Sequence, residues 1–359
     1  MLFSCRTQIL SGPGVVAELG QMGIEKLLVV TDPYFLNNGT AERIAGLAKA
    51  KETRIFGDVV PDPTVELAAR GAALARDFDP DTVVALGGGS TMDCAKAVMY
   101  FGSQRAQLIA IPTTSGSGSE VTDFAILTHN GVKHPLVDKR LQPQTAILDS
   151  DLLNALPPSL IADCGFDVLA HALEAYTATG AGAITDALAR DAFCKAFSLL
   201  PASFGGDQTV RMMIHMASTM AGLAFTQAGL GLCHALSHSL GGMFHVPHGR
   251  LNAILLPAVV ELNSKVAGSK YAALARIAGL GGSADTMAVR NLKNGLIRLR
   301  RALGLPSTLA QAGVEPNRVY ARQREIVAVT LADPCCRTNA ILVEEFMVRD
   351  LLEEVTGHG

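Results

Sequence analysis

The first 150 residues alternate short apolar runs with helical patterns, and that alternation leaves few folds open. Runs at 27–31 (LLVVT), 53–56 (TRIF), 82–86 (TVVAL) and 108–112 (LIAIP) predict strands, with helical patterns at 40–50, 64–77 and 91–101 between them. Strand–helix–strand alternation predicts a parallel sheet with helices on its faces. Further strands are expected at 124–128, 134–137 and 145–149, with Asn130-Gly131 as a hairpin-type turn. After about residue 153 the pattern changes. Helical periodicity runs through 159–178, 184–200, 209–226, 229–242, 250–263, 267–279, 285–303 and 342–356, with one more helix expected at 320–332. Pro157-Pro158 marks the entry to this half. The expected organisation is an α/β domain over 1–153 and an all-helical domain over 154–359.

Composition narrows the partners. The chain is 49% apolar and 18% charged with a net charge of −3, which suits a soluble globular protein. No basic block points to nucleic acid, and at 5% the aromatic residues offer few stacking platforms. The opening MLFSCRTQIL lacks the apolar stretch of a signal peptide, and the run AILLPAVV at 253–260 is far short of a membrane span. Seven scattered cysteines fit free thiols in a reducing cytoplasm better than a disulfide framework.

The helical half carries an unusual set of polar side chains. Asp167 and His171 sit in GFDVLAHALEAY, and residues four apart share a helix face. His234 and His248 frame HALSHSLGGMFHVPH, with His238 and His245 between them. A lone pair of this kind on an apolar helix is more often ordinary than a ligand set. Two pairs in one helical half, among Leu, Ala and Gly, are costly to bury without a partner. Three imidazoles and a carboxylate suit ferrous iron or zinc. His238 and His245 read as neighbours of the ion or of the substrate, while His129, His134, His215 and His358 read as ordinary.

The α/β half offers nucleotide contacts. GGGSTMDCAK (87–96) follows an apolar run and opens a helix, so its backbone can approach a phosphate at a helix N-terminus. A tight turn without a ligand is the alternative. IPTTSGSGSEVTDF (111–124) is dense in hydroxyls and glycines, and reads as a nucleotide loop or as a solvated loop. Asp32 ends a strand, where a carboxylate accepts from a ribose 2′-hydroxyl and repels a 2′-phosphate; a helix-capping Asp before Pro33 is the plainer alternative. The former favours NAD over NADP. Beside a nicotinamide, a metal acts as a Lewis acid on an alcohol or carbonyl oxygen, and a neutral histidine relays the proton.

Together GGGSTMDCAK, PTTSGSGSEVT, LPPSLIADCGFDVLAHALEAY and GLGLCHALSHSLGGMFHVPHGRLNAILLP closely resemble the iron-containing (group III) metal-dependent alcohol dehydrogenases, over about residues 6 to 340. The resemblance implies a Rossmann-like nucleotide-binding domain followed by an all-α metal-binding domain, the fold also used by dehydroquinate synthase. It implies NAD(H) and Fe2+, with Zn2+ as the alternative ion. Asp167, His171, His234 and His248 would be the ligands, and His238 the proton-relay histidine. Gly87, Gly88, Gly89 and Ser90 would hold the pyrophosphate with Asp93 nearby; Thr113, Thr114 and Ser117 would line the cofactor, and Lys133 would reach its ribose. Asp32 matches the position where an acid favours NAD, and Phe124, Phe225 and Cys335 fall where the family lines its substrate pocket. The short N-terminus and FHVPHG resemble most the propanol and ethanol dehydrogenases of bacterial microcompartments. That implies a homodimer reducing propanal or acetaldehyde and recycling NAD+, in the cytoplasm or inside such a compartment, beside shell proteins or an aldehyde dehydrogenase. A lactaldehyde/1,2-diol oxidoreductase is the alternative within the family. Ala340 departs from the family's Pro after Asn, and the loop at 204–211 is short. Other classes fit less well. A dehydroquinate synthase-like lyase needs more basic residues than Lys133 and Arg250, maleylacetate reductases generally lack the full metal set, and a non-catalytic metal-binding scaffold leaves the nucleotide segments without a purpose.

Overall fold

A computed structural model of the chain describes residues 3–103, 105–129 and 132–357; the expected Asn130-Gly131 turn and His358 lie outside them. The chain divides into two compact units, with the boundary between Leu156 and Pro157.

The first unit is built on a six-stranded sheet. Its strands are β1 (Gln8–Ser11), β2 (Lys26–Thr31), β3 (Glu52–Phe56), β4 (Thr82–Gly87), β5 (Gln107–Pro112) and, later in the chain, β8 (Thr145–Leu148). They pair in the order β1-β8-β5-β4-β2-β3, every pair parallel. Helices α1 (Pro33–Asn37), α2 (Thr40–Leu47), α3 (Val65–Phe78) and α4 (Gly89–Gly102) connect them, and β6 (Phe124–His129) pairs antiparallel with β7 (Val132–Val137) as a separate two-stranded sheet. The central strands read as continuous apolar runs because both faces are covered. Leu28, Val30, Val83, Ala85, Leu108 and Ala110 face one core with α3 and α4 residues; Leu27, Val29, Val84, Leu86, Ile109 and Ile111 face the other. Chain order reverses between β2 and β4: β3 lies to one side of this pair, β5 and β8 to the other. In open α/β sheets, ligands bind beyond the carboxyl ends of the strands at this reversal. Asp32 and Gly87–Ser90 stand there, since Thr31 pairs with Leu86.

The second unit is helical throughout its described residues, apart from turns and short 3-10 segments. It comprises α5 (Pro158–Thr177), α6 (Ala183–Phe204), α7 (Arg211–Ala228), α8 (Leu232–Phe244), α9 (His248–Ile277), α10 (Asp285–Ala302), α11 (Pro316–Ala321), α12 (Gln323–Ala332) and α13 (Glu345–Thr356). Two sequence expectations change. The patterns at 250–263 and 267–279 form one helix, because Asn263, Ala267, Tyr271 and Ala275 continue the buried stripe across the polar, glycine-containing stretch that reads as a break. The helix expected at 320–332 is two pieces separated by Arg322 at φ −107° and ψ 9°. Among the described residues, no helix is long and apolar enough to cross a membrane.

Candidate metal centre and nucleotide site

Three helices bring the polar set together. Asp167 and His171 project from α5, His234 and His238 from α8, and His248 from the first turn of α9. One oxygen of Asp167 is the hub. Its Oδ1 lies 3.7 Å from His234 Nε2, 3.5 Å from His248 Nε2 and 3.7 Å from His171 Nδ1. These separations are too long for hydrogen bonds. They match two ligands of one tetrahedral ion, which stand about 3.4 Å apart when each bond is near 2.1 Å. Ligand atoms of Asp167, His234 and His248 lie within 4.8 Å of one another. His171 stands beside this trio, its ring stacked on His234 and on Phe225, each at 4.4 Å between centroids. Asp167, His171 and His234 are all buried. Burial pushes the Asp167 carboxyl up, but the three surrounding imidazoles more than offset it and hold it below its usual range. Burial likewise pushes the His234 imidazole down, and the Asp167 and Glu174 carboxylates outweigh it, leaving it raised to about 9. A buried carboxylate ringed by imidazole nitrogens is a site that also favours a divalent cation.

Supporting residues that motif reading missed complete the geometry. Glu174 is buried on α5, one turn beyond His171. Its Oε2 lies 2.6 Å from His234 Nδ1 and accepts from Gly231 N–H, while Oε1 accepts from Cys233 N–H at 2.6 Å. Asn339 Oδ1 accepts from Leu232 N–H at 3.1 Å. Side chains distant in sequence thus satisfy the opening N–H groups of α8, as a buried helix terminus requires. A side chain at Gly231 would collide with both carbonyl-type oxygens, at 2.6 Å from Asn339 Oδ1 and 2.7 Å from Glu174 Oε1. With its Nδ1–H given to Glu174, His234 keeps its Nε2 lone pair for a metal. Asn252, four residues after His248, donates from Nδ2 to Asp167 Oδ1 at 2.8 Å and is itself held by Ser237. The spacing 167-171-174 on one helix was the available signal for Glu174, since a carboxylate in LAHALEAY needs a partner. Glu174→Gln is expected to weaken metal binding about 10- to 100-fold by opposing an amide N–H to His234 Nδ1–H. A competition titration with a chelating dye reads this; unchanged affinity removes Glu174 from the site.

His238 and His245 part company. His238 stacks on His248, with ring centroids 5.3 Å apart and 14° between planes, and its Nδ1 lies 2.9 Å from Asp333 Oδ2. His245 is exposed and ends α8 in the left-handed conformation at φ 56°. It is a helix terminator, which accounts for its conformation without a role at the ion. Of the residues expected to line a pocket, Phe225 is buried against His171, and Cys335 lies two residues after Asp333, its N–H donating to Asp333 Oδ1. Burial pushes the Cys335 thiol well up, so it stays a neutral thiol.

In the α/β unit the glycine turn and the hydroxyl loop lie against each other. Thr113 N–H donates to Gly87 O at 3.0 Å. Gly87 has φ +156°, and a Cβ there would be 2.4 Å from Thr91 Oγ1. A Cβ on Gly88 would stand 3.2 Å from Thr114 Oγ1, and one on Gly89 3.1 Å from Ser117 Oγ. Gly88 opens α4 with no side-chain cap, so the helix N–H groups face the strand ends uncapped by their own sequence. That cradle fits a pyrophosphate. Ser90 lies in the first turn of α4. Asp93 is a fastener: it accepts from Ser119 Oγ and from Ile126 N–H, tying loop and β6 to α4. Lys96, fully buried, donates to Thr122 Oγ1 and Phe124 O, each at 2.7 Å; burial brings its ammonium down to about 8. Phe124 is thereby held through its backbone. Lys133 Nζ pairs with Asp62 at 2.7 Å. Asp32 caps α1, accepting from Tyr34 and Phe35 N–H with Oδ1, which is the plainer of its two readings.

Comparison with known proteins agrees with this geometry. The iron-containing alcohol dehydrogenase family model matches residues 6–150, and the model of that family's C-terminal domain matches residues 161–356. The chain belongs to the iron-containing alcohol dehydrogenase family. It is 37% identical to the 1-propanol dehydrogenase PduQ of Citrobacter freundii, over 98% of this chain and 99% of that one. The iron-containing alcohol dehydrogenase of Thermococcus thioreducens superposes with a TM-score of 0.90 at 32% identity, covering 99% of both chains. The sulfoacetaldehyde reductase of Bifidobacterium kashiwanohense, solved with NAD+, superposes with a TM-score of 0.89 at 26% identity over the whole of both chains. As an iron-containing alcohol dehydrogenase, the chain is a metal-dependent, NAD(H)-linked oxidoreductase that interconverts alcohols and aldehydes. The lyase and scaffold readings fall away with that assignment.

Proposed function

We propose that this enzyme interconverts short primary alcohols and aldehydes of the propanal and acetaldehyde class, and works mainly as an aldehyde reductase that returns NAD+. The observation that carries the chemistry is the Asp167 oxygen set 3.5–3.7 Å from imidazole nitrogens of His171, His234 and His248. These four residues would hold one divalent ion, iron or zinc. When bound, that ion supplies the Lewis acidity that polarises the substrate oxygen. The protein does the rest. Gly87, Gly88, Gly89 and Ser90 hold the pyrophosphate, Thr113, Thr114 and Ser117 line the dinucleotide above Asp93, Lys133 approaches the ribose, and Asp32 favours a free 2′-hydroxyl and so NAD over NADP. His238 accepts the substrate hydroxyl proton in oxidation and returns it in reduction. Phe225 and Cys335 of the helical unit, and Phe124 of the α/β unit, are the residues assigned to substrate contact.

Kinship with a propanol dehydrogenase over nearly the full chain supports the substrate class and a place in the cytoplasm or inside a bacterial microcompartment, as a homodimer beside shell proteins or an aldehyde dehydrogenase. Steady-state rates with C2–C4 aldehydes, lactaldehyde and 1,2-diols, each with NADH and NADPH, test the reading. The expected result is the highest kcat/KM for propanal or acetaldehyde with NADH. Preference for lactaldehyde and 1,2-diols would replace it with the diol reading, and preference for NADPH would remove the role given to Asp32.

A further inference from the structure

Asp333 lies just beyond α12, and its two carboxylate oxygens serve different partners. Oδ1 accepts from Cys335 N–H at 2.8 Å and so opens the 3-10 turn Pro334–Thr338. Oδ2 lies 2.9 Å from His238 Nδ1. Asp333, His238 and Cys335 form a close cluster of their own. It is a poor second metal site, because the Asp333 oxygens are already engaged and the thiol is held neutral. Its chemistry is that of a carboxylate–imidazole dyad. Burial pushes the Asp333 carboxyl up, and the His238 contact more than offsets it, leaving it at about 2, so it is ionised at neutral pH. An ionised carboxylate only accepts, so the His238 nitrogen facing it must carry the hydrogen. The lone pair of the neutral ring is then on Nε2.

We propose that Asp333 is the positioning residue of the proton relay: it holds His238 in the Nδ1–H tautomer and fixes its ring, leaving Nε2 as the atom that takes up and returns the substrate proton. This rests on the relay role proposed above for His238. In alcohol oxidation the O–H bond breaks as the Nε2–H bond forms, and the carbon-bound hydrogen leaves with its electron pair to NAD+. The imidazolium then gives its proton to water, so one alcohol and one NAD+ yield one aldehyde, one NADH and one proton.

Asp333→Asn separates this role from a structural one. The asparagine oxygen still accepts from Cys335 N–H and keeps the turn, while its amide donates toward Nδ1 and drives the hydrogen to Nε2. The expected result is a fall in kcat of about 100-fold or more, with KM for the alcohol and bound metal per chain unchanged. Asp333→Glu should recover part of the rate. Nitrogen-15 histidine spectra of the zinc-loaded enzyme, assigned with His238→Ala, should show His238 protonated at Nδ1 in the wild type and at Nε2 in Asp333→Asn. A kcat within twofold of wild type for Asp333→Asn, while His238→Ala is slow, overturns the role of Asp333 and leaves that of His238 standing. An undiminished kcat for His238→Ala removes the relay itself. If Asp333→Asn does not fold, the wild-type spectrum decides, and an Nε2–H His238 there overturns the proposal.

Discussion

Asp167→Asn is expected to lower kcat/KM by about 1000-fold or more and to leave purified protein with far less than one metal per chain. The loss of several kcal/mol of charge stabilisation at the substrate oxygen sets the magnitude, at roughly 1.4 kcal/mol per tenfold. The His171, His234 and His248 nitrogens converge on the Asp167 carboxylate, which is buried. An amide of the same shape keeps the packing and removes the charge that offsets the ion. Circular dichroism should stay native while metal analysis and NADH oxidation both collapse. Full metal occupancy together with wild-type turnover would show that the ion is held elsewhere.

The second large effect is expected from a residue with no side chain. Gly249 follows His248 in the first turn of α9, and an added Cβ would lie 2.0 Å from Asp163 O and 2.6 Å from its carbonyl carbon. Both obstacles are backbone of α5, so no rotamer change relieves them. The adjacent Arg250 grips Asp163 through two hydrogen bonds, of 3.2 and 2.9 Å, which keeps the two helices from separating. Gly249→Ala should therefore cost about 3 kcal/mol, at the upper end for overpacking, and lower Tm by roughly 5–10 °C. Metal affinity should fall with it, because His248 shares the displaced turn. Gly268→Ala on the same helix is the control: nothing stands within 4 Å of the added methyl, and stability should hold or rise by about 0.5–1 kcal/mol. Equal Tm values for both variants would contradict the close approach of α9 to α5.

Much of this was legible in local pattern. Strands β2, β4 and β5 announce themselves as short β-branched runs because both of their faces are buried. The helix carrying Asp167 and His171 shows its polar pair at helical spacing within an apolar stretch. What local pattern misses is long-range. Strand β1 is four mostly exposed residues, and only its parallel pairing with β8, with Gln8 opposite Thr145, makes it a strand. The continuity of α9 through Ser264 and Gly268 follows from packing on Ala267 and Tyr271.

By itself the sequence determined the candidate ligand types, their spacing on each helix, the glycine turn after β4, and the order of an α/β half and a helical half. These are local properties, set by side-chain chemistry and by periods of two and 3.6 residues. Only the tertiary structure decided which histidines converge. It set His238 beside His248 and left His245 at an exposed helix end, although both lie in the same short segment. It also supplied Glu174, Asn252 and Asp333, whose partners stand 60, 85 and 95 residues away in the chain. A hydrogen bond between residues so far apart leaves no periodic trace. It exists only once the helices have packed, and that packing sets which nitrogen of each imidazole is free to act.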